Sequence, residues 1–186
     1  MKNKWNVSVV FLFFLAGICV CACTQKSSSS NNSRWPEEKI QKWYDNQPWL
    51  VGCNYIPATA INQIEMWSTD TFDPEQIDKE LSWAHELGFN TLRVFLSSVV
   101  WQNDAAEMKK RMDDFLNICG QYSIRPMFVF FDDCWNPESA YGKQPEPKTG
   151  VHNSGWVQDP SCSLRKDTLT LYPFLQEYVK DIVRTY

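Results

Sequence analysis

Arg93 stands in the middle of "FNTLRVFLSSVVW", residues 89–101, a segment that otherwise reads as a buried strand. Arginine is almost never fully buried without a partner, so its charge asks for a carboxylate. Other residues able to do chemistry fall just past apolar runs. Asn54 and Tyr55 end "WLVGCNYI"; Ser97, Ser98 and Trp101 follow "NTLRVFL"; Asp132, Asp133, Cys134 and Trp135 follow "RPMFVFF". Tyr141, His152 and Trp156 come later in the same long segment. Large aromatic faces beside carboxylates and amides suit a sugar, whose C–H face stacks on a ring while polar groups take its hydroxyls. Adjacent carboxylates in a strand point to opposite faces. Asp132 and Asp133 therefore make no facing pair unless the strand has ended; one touches substrate, or they cap the loop or pair with Arg93. His85 falls on a helix beside its apolar stripe, far from His152 in sequence, and no CxxC pair occurs. No metal site and no cofactor are expected.

The elements that must position these residues alternate between two kinds. "WLVGCNYI" (49–56) is a short apolar strand ended by Pro57. In "DPEQIDKELSWAHELG" (73–88) Asp73 is a good N-cap, Pro74 suits the first helical position and Gly88 the stop. Its stripe is Ile77, Leu81, Ala84 and Leu87. "NTLRVFL" is the second strand. "DAAEMKKRMDDFLNICG" (104–120) opens with Asp104 and Glu107 at capping-box spacing, carries Met108, Met112, Phe115 or Leu116, and Cys119, and stops at Gly120. "RPMFVFF" is the third strand. A loop to about Lys166 follows, of a length that is usually functional or disordered. "DTLTLYPFLQEYVKDIVRTY" (167–186) is the third helix. Strand–helix alternation with apolar strands argues for α/β architecture with parallel strands covered on both faces. An open doubly wound sheet and a (β/α)8 barrel both fit, and in either the chemistry gathers at the carboxyl ends of the strands.

Several function classes are disfavoured. The chain has 186 residues and a formal charge of −4, with no basic run past the first few residues, so nucleic acid is not an expected partner. No GxGxxG follows a strand, which removes the support for nucleotide binding. No GxSxG is present, which disfavours a doubly wound esterase.

The amino terminus reads as a targeting segment. Lys2 and Lys4 precede the apolar run "VVFLFFLAGICV" (9–20), too short for a comfortable membrane span. "VCAC" (20–23) resembles a bacterial lipobox, with Cys21 as an unusual second residue. The resemblance implies a signal peptide over 1–22, lipidation of Cys23 and a membrane partner through that lipid; an uncleaved anchor is the alternative. Either way the domain lies outside the cytoplasm. Residues 23–34 read as a flexible tether, and "RWPEEKIQKWYDNQPWL" as a short helix leading into the domain over 35–186. In an oxidising compartment Cys134 and Cys162, flanking the long loop, are candidates for a disulfide.

Three stretches carry a more specific likeness. "ELGFNTLRVFL" (86–96) resembles the second strand unit of the clan of retaining (β/α)8 glycoside hydrolases, the cellulase-like family five in particular. "GCNYIP" resembles that clan's first strand, and "GVHNSGWVQDP" (150–160) a loop of its bacterial β-glycanase-like members. The likeness implies a hydrolase of β-linked glycans. Arg93 then matches the arginine that hydrogen-bonds the catalytic nucleophile, and Asn54, Trp101, Asp132, Asp133, Trp135, His152 and Trp156 are candidate substrate contacts. The clan's two catalytic glutamates end strands four and seven, the first within an Asn-Glu pair. No such pair ends a strand here, and a (β/α)8 barrel takes about 250 residues. The expectation is the N-terminal part of such a barrel, about three βα units, inactive alone. A non-catalytic glycan-binding lipoprotein is the competing reading.

Overall fold

The computed structural model describes residues 34–133 and 135–186. The expected signal segment, Cys23 and nearly all of the tether lie outside the described residues, as does Cys134. The chain falls into two units, divided between Gln47 and Pro48. Among its described residues the first contains one helix, α1 (Glu37–Asp45), which has no buried residue; Lys39 stacks its ammonium over the Trp35 ring at 3.9 Å.

The second unit is built on three strands, β1 (Gly52–Tyr55), β2 (Thr91–Phe95) and β3 (Arg125–Val129), paired in parallel in the order β1-β2-β3. Its helices are α2 (Gln63–Trp67), α3 (Pro74–Glu86), α4 (Ser98–Gln121), α5 (Cys162–Arg165) and α6 (Thr168–Thr185). The expected boundaries of α3 hold for the expected reasons. Asp73 accepts from the Gln76 amide at 2.9 Å, Pro74 opens the helix, and Gly88 takes a left-handed φ of 84° just past its end. Of its stripe, Ile77 and Leu81 are buried, while Leu87, at the C-cap, is 74% exposed.

Period-two alternation divides the sheet into two unlike faces. Leu92 and Val94 are fully buried in one cluster with Ile77 and Leu81 of α3 and Met108, Met112, Phe115 and Cys119 of α4. Tyr55 and Phe128 join that side by packing on the Phe115 ring. Each fully buried aliphatic or aromatic side chain contributes about 1.5–3 kcal/mol, so this face supplies most of the unit's core energy. On the other face the register sets Asn54, Arg93 and Met127 side by side, and all three are exposed. Among the described residues only one face of the sheet is covered. Both crossover helices lie on one side, and Arg93 lies on the open side; its charge was never buried.

The α4 boundary also differs. Asp104 does cap a helix, accepting from Glu107 N at 3.1 Å, but its φ of −156° marks a kink rather than a start. The chain is already helical from Ser98, with Ser97 as N-cap, and it runs through Gly120 to Gln121. No helix among the described residues is long and apolar enough to cross a membrane.

Candidate functional site

The strands deliver their polar residues at their carboxyl ends on the open face. Arg93 and Asn54 are register partners, and Arg93 Nη1 donates to Asn54 Oδ1 at 3.1 Å. Phe95, two residues on and on the same face, lies under the Arg93 guanidinium at 4.4 Å. That stacking holds the flat cation across the strand end. Among the described residues no carboxylate pairs with Arg93; the ion pair considered with Asp132 or Asp133 is not formed. At the end of β1, Tyr55 donates its hydroxyl to Glu80 of α3 at 2.9 Å, and the other Glu80 oxygen accepts from Ala58 N at 3.0 Å. Burial first, then this carboxylate, pushes the Tyr55 hydroxyl well above its ordinary pKa, so it stays a donor.

The second wall comes from the segment after β3. Asp132 and Asp159 form an antiparallel bridge, each amide donating to the other's carbonyl, at 2.8 and 2.9 Å. Asn136 and Val157 form a second bridge. From below, Gln63 donates to the Val157 carbonyl at 2.7 Å, and Asn62 to the Gly155 carbonyl at 2.9 Å and to Gln144 at 3.0 Å. Gly155 is seated so tightly that an added Cβ would lie 2.4 Å from Ile61 Cγ2. These ties present Trp156, whose ring meets Phe95 edge-on at 5.5 Å and whose indole N–H donates to the Asp132 carboxylate. Trp135 and His152 face each other edge-on at 6.2 Å. Trp135 and Asn153 both adopt a φ of 53°. For a bulky residue such as Trp135 that conformation costs on the order of 1–2 kcal/mol, a cost found most often at binding and catalytic sites.

Between the walls lies a cavity of ≈ 350 Å³ lined by Asn54, Tyr55, Ile56, Arg93, Phe95, Asp132, Trp135, His152, Asn153 and Trp156. Ring faces, an amide, an imidazole and a cation converge there; that set can stack on a hydroxylated ring and hydrogen-bond its edges. Six of the candidates chosen from the sequence line it: Asn54, Arg93, Asp132, Trp135, His152 and Trp156. Two do not. Trp101, expected in a loop, sits in the first turn of α4 and donates to Asp181 of α6 at 2.8 Å, its ring against Phe174 and Tyr178. Asp133, past the end of β3, lies outside the cavity lining and pairs with Arg165 at 2.9 Å. Cys162 is a free thiol. No group of three or more metal-ligating side chains occurs among the described residues.

Two residues with strong local roles are not among the candidates that the sequence suggests. Asn62 is fully buried and caps α2 while holding the loop. Asp159 is 2% exposed and accepts from both the amide and the hydroxyl of Ser98. Burial pushes its carboxyl up to about 6; the Ser98 donors and Arg165 oppose that shift, and Asp132 adds to it.

No family model and no curated protein matches the chain. Among solved structures it is similar to the exo-beta-1,4-mannosidase Op5Man5 from Opitutaceae bacterium strain TAV5. The identity is 28% over 50% of this chain, with a TM-score of 0.42. The chain spans 16% of the length of that structure.

Proposed function

We propose that the cavity is the glycan site of a glycoside hydrolase of the retaining (β/α)8 clan, to which this chain contributes the first three strands. The observation that carries this reading is the convergence of Asn54, Arg93, Trp135, His152 and Trp156 at the carboxyl ends of parallel strands, on the face the helices leave open. Strand order β1-β2-β3 with both crossovers on one side suits a barrel wall, whose inner face is filled by strands opposite. One βαβαβ half of a doubly wound sheet shares that order and hand; the aromatic lining at the strand ends, with no Gly-rich phosphate loop after a strand, favours the barrel. In the clan's mechanism one carboxyl protonates the leaving oxygen and the other attacks the sugar carbon. Both belong to later strands than these three. Arg93, without a carboxylate partner among the described residues, is left to hold the nucleophile ionised by opposite charge.

A second reading has one observation in its favour. The carboxylate that lines the cavity, Asp132, is engaged by the Trp156 indole, which leaves a surface suited to binding a glycan without cleaving it. Under either reading we assign residues 1–22 to an export signal and Cys23 to lipid attachment, on the basic start, the apolar run and the lipobox-like "VCAC".

The test is calorimetric titration of residues 23–186 with β-linked mannan, xylan and glucan oligosaccharides, with hydrolysis assayed in parallel. Binding that Arg93→Ala and Trp135→Ala each weaken about tenfold or more, roughly 1.4 kcal/mol, supports the site. Absence of binding to all three overturns it. Turnover that Arg93→Ala removes would place the catalytic carboxylates inside this chain and refute the assignment to later strands. A coding sequence that continues past Tyr186 into a strand ending in Asn-Glu favours the hydrolase over the binder.

A further inference from the structure

We propose that Asp159 is a positioning residue for the cavity: it ties the segment carrying the Trp156 wall to the amino end of α4, and its charge sets how the Trp156 indole is held. The path is short. Asp159 Oδ2 accepts from Ser98 N at 2.6 Å, and Oδ1 accepts from the Ser98 hydroxyl. Ser98 is the first residue of α4, so a rigid helix end grips one side of the segment. On the other side the Asp159 backbone exchanges both hydrogen bonds with Asp132, whose carboxylate holds the Trp156 indole. Trp156 lies three residues before Asp159, so ring, clamp and anchor form one closed loop of contacts.

The charge at the anchor matters because water barely reaches it. Asp159 is 2% exposed. It is faced by Ser98 from α4, by Asp132 from the segment after β3, by Arg165 of α5 and by Tyr178 of α6. Arg165 is shared with Asp133, and the Tyr178 hydroxyl is buried with no hydrogen-bond partner among the described residues. As an anion Asp159 takes both Ser98 donors and repels the Asp132 carboxylate. When it takes a proton from solvent, one oxygen becomes a donor, the grip on Ser98 weakens and the repulsion ends. Either change moves Asp132 relative to the indole. The titration falls near neutrality, with burial raising the carboxyl to about 6.

The inference rests on the proposed glycan site only for its consequence, a wall whose set depends on pH; the experiment reads Trp156 itself. In the full chain labelled with nitrogen-15, the Trp156 indole N–H signal is identified by its loss in Trp156→Phe. It is then followed with pH. The expected result is a shift with a midpoint near 6, absent in Asp159→Asn and retained in His152→Gln, which removes the imidazole lining the same cavity. In Ser98→Ala, which deletes a donor to the charged form, the midpoint moves up. A flat titration in the parent, or a shift that persists in Asp159→Asn, overturns the proposal. Should Asp159→Asn not fold, an unmoved midpoint in Ser98→Ala overturns it equally. Failure to bind any glycan would sink the functional reading and leave this titration unchanged.

Discussion

Asn62 does two jobs with one amide, and two substitutions separate them. Its Oδ1 caps α2, accepting from Ile64 N at 3.0 Å and Glu65 N at 3.3 Å. Its Nδ2 donates across the chain, to Gln144 at 3.0 Å and to the Gly155 carbonyl at 2.9 Å. The side chain is fully buried, so water cannot replace any of these partners. Asn62→Ala loses the cap, about 1 kcal/mol. It also loses two buried hydrogen bonds, about 1 kcal/mol each, and leaves oxygens unsatisfied. The sum is roughly 3 kcal/mol, on the order of 6–12 °C in Tm for a domain of this size. Asn62→Asp keeps a good cap but cannot donate, and it sets an anion against the Gln144 and Gly155 oxygens. If the tie to the loop matters as the geometry says, Asp costs at least as much as Ala. The measurement is urea unfolding followed by circular dichroism, compared at constant m. An Asn62→Asp variant within about 0.5 kcal/mol of the parent would refute the reasoning, since only the cap would then count.

Further outcomes follow from the same segment and from the amino terminus. Gly155→Ala forces Ile61 or the backbone to yield at a 2.4 Å contact, and is expected to destabilise by about 1–3 kcal/mol and to shift Trp156 fluorescence; a neutral result removes the tight seat. Burial lifts the folded Asp159 carboxyl from its ordinary 3.8 to about 6, so the folded state binds the proton more tightly. The contribution of Asp159 to stability is then fully present below the unfolded value and is lost as pH rises through the folded one, by up to about 3 kcal/mol. Asp159→Asn flattens that slope, and an unchanged pH profile of unfolding contradicts it. Cys23→Ala is expected to abolish labelling by a radioactive fatty acid; retained labelling rejects the lipid assignment.

What could be read from the sequence was what local chemistry decides. Asp73, Pro74 and Gly88 set the bounds of α3 because a cap, a fixed φ and a left-handed stop each act within a turn. The strand ends could be read because parallel strands collect chemistry at one edge, and six of the chosen residues meet there. The failures are long-range or short-period. Helix α2 is five residues long, too short to show a helical stripe. Trp101 lies in a helix rather than a loop because Asp104, whose cap reads as the start of α4, marks a kink inside it. Asn62 reaches partners 82 and 93 residues away, and no local pattern announces that. Asp159 is set apart by its burial, which residue type does not announce.

The open edges of the sheet bear on the proposed barrel most directly. β2 is paired on both sides, whereas β1 and β3 each pair on one side only among the described residues. The chain entering β1 exposes Trp49, Leu50 and Val51, and Met127 stands exposed on β3. Exposed apolar edge strands invite pairing with further strands, and soluble proteins ordinarily cover or charge them. In a barrel both edges are occupied, because closure leaves none. Hydrogen exchange on the protein purified from the cells that make it separates the cases. Under the barrel reading, amides of β1 and β3 exchange as slowly as those of β2. An isolated three-stranded sheet would protect β2 and release the outward-facing amides of both edges within the fast phase. That second result, in protein that still binds glycan, would leave the site standing and refute the barrel around it.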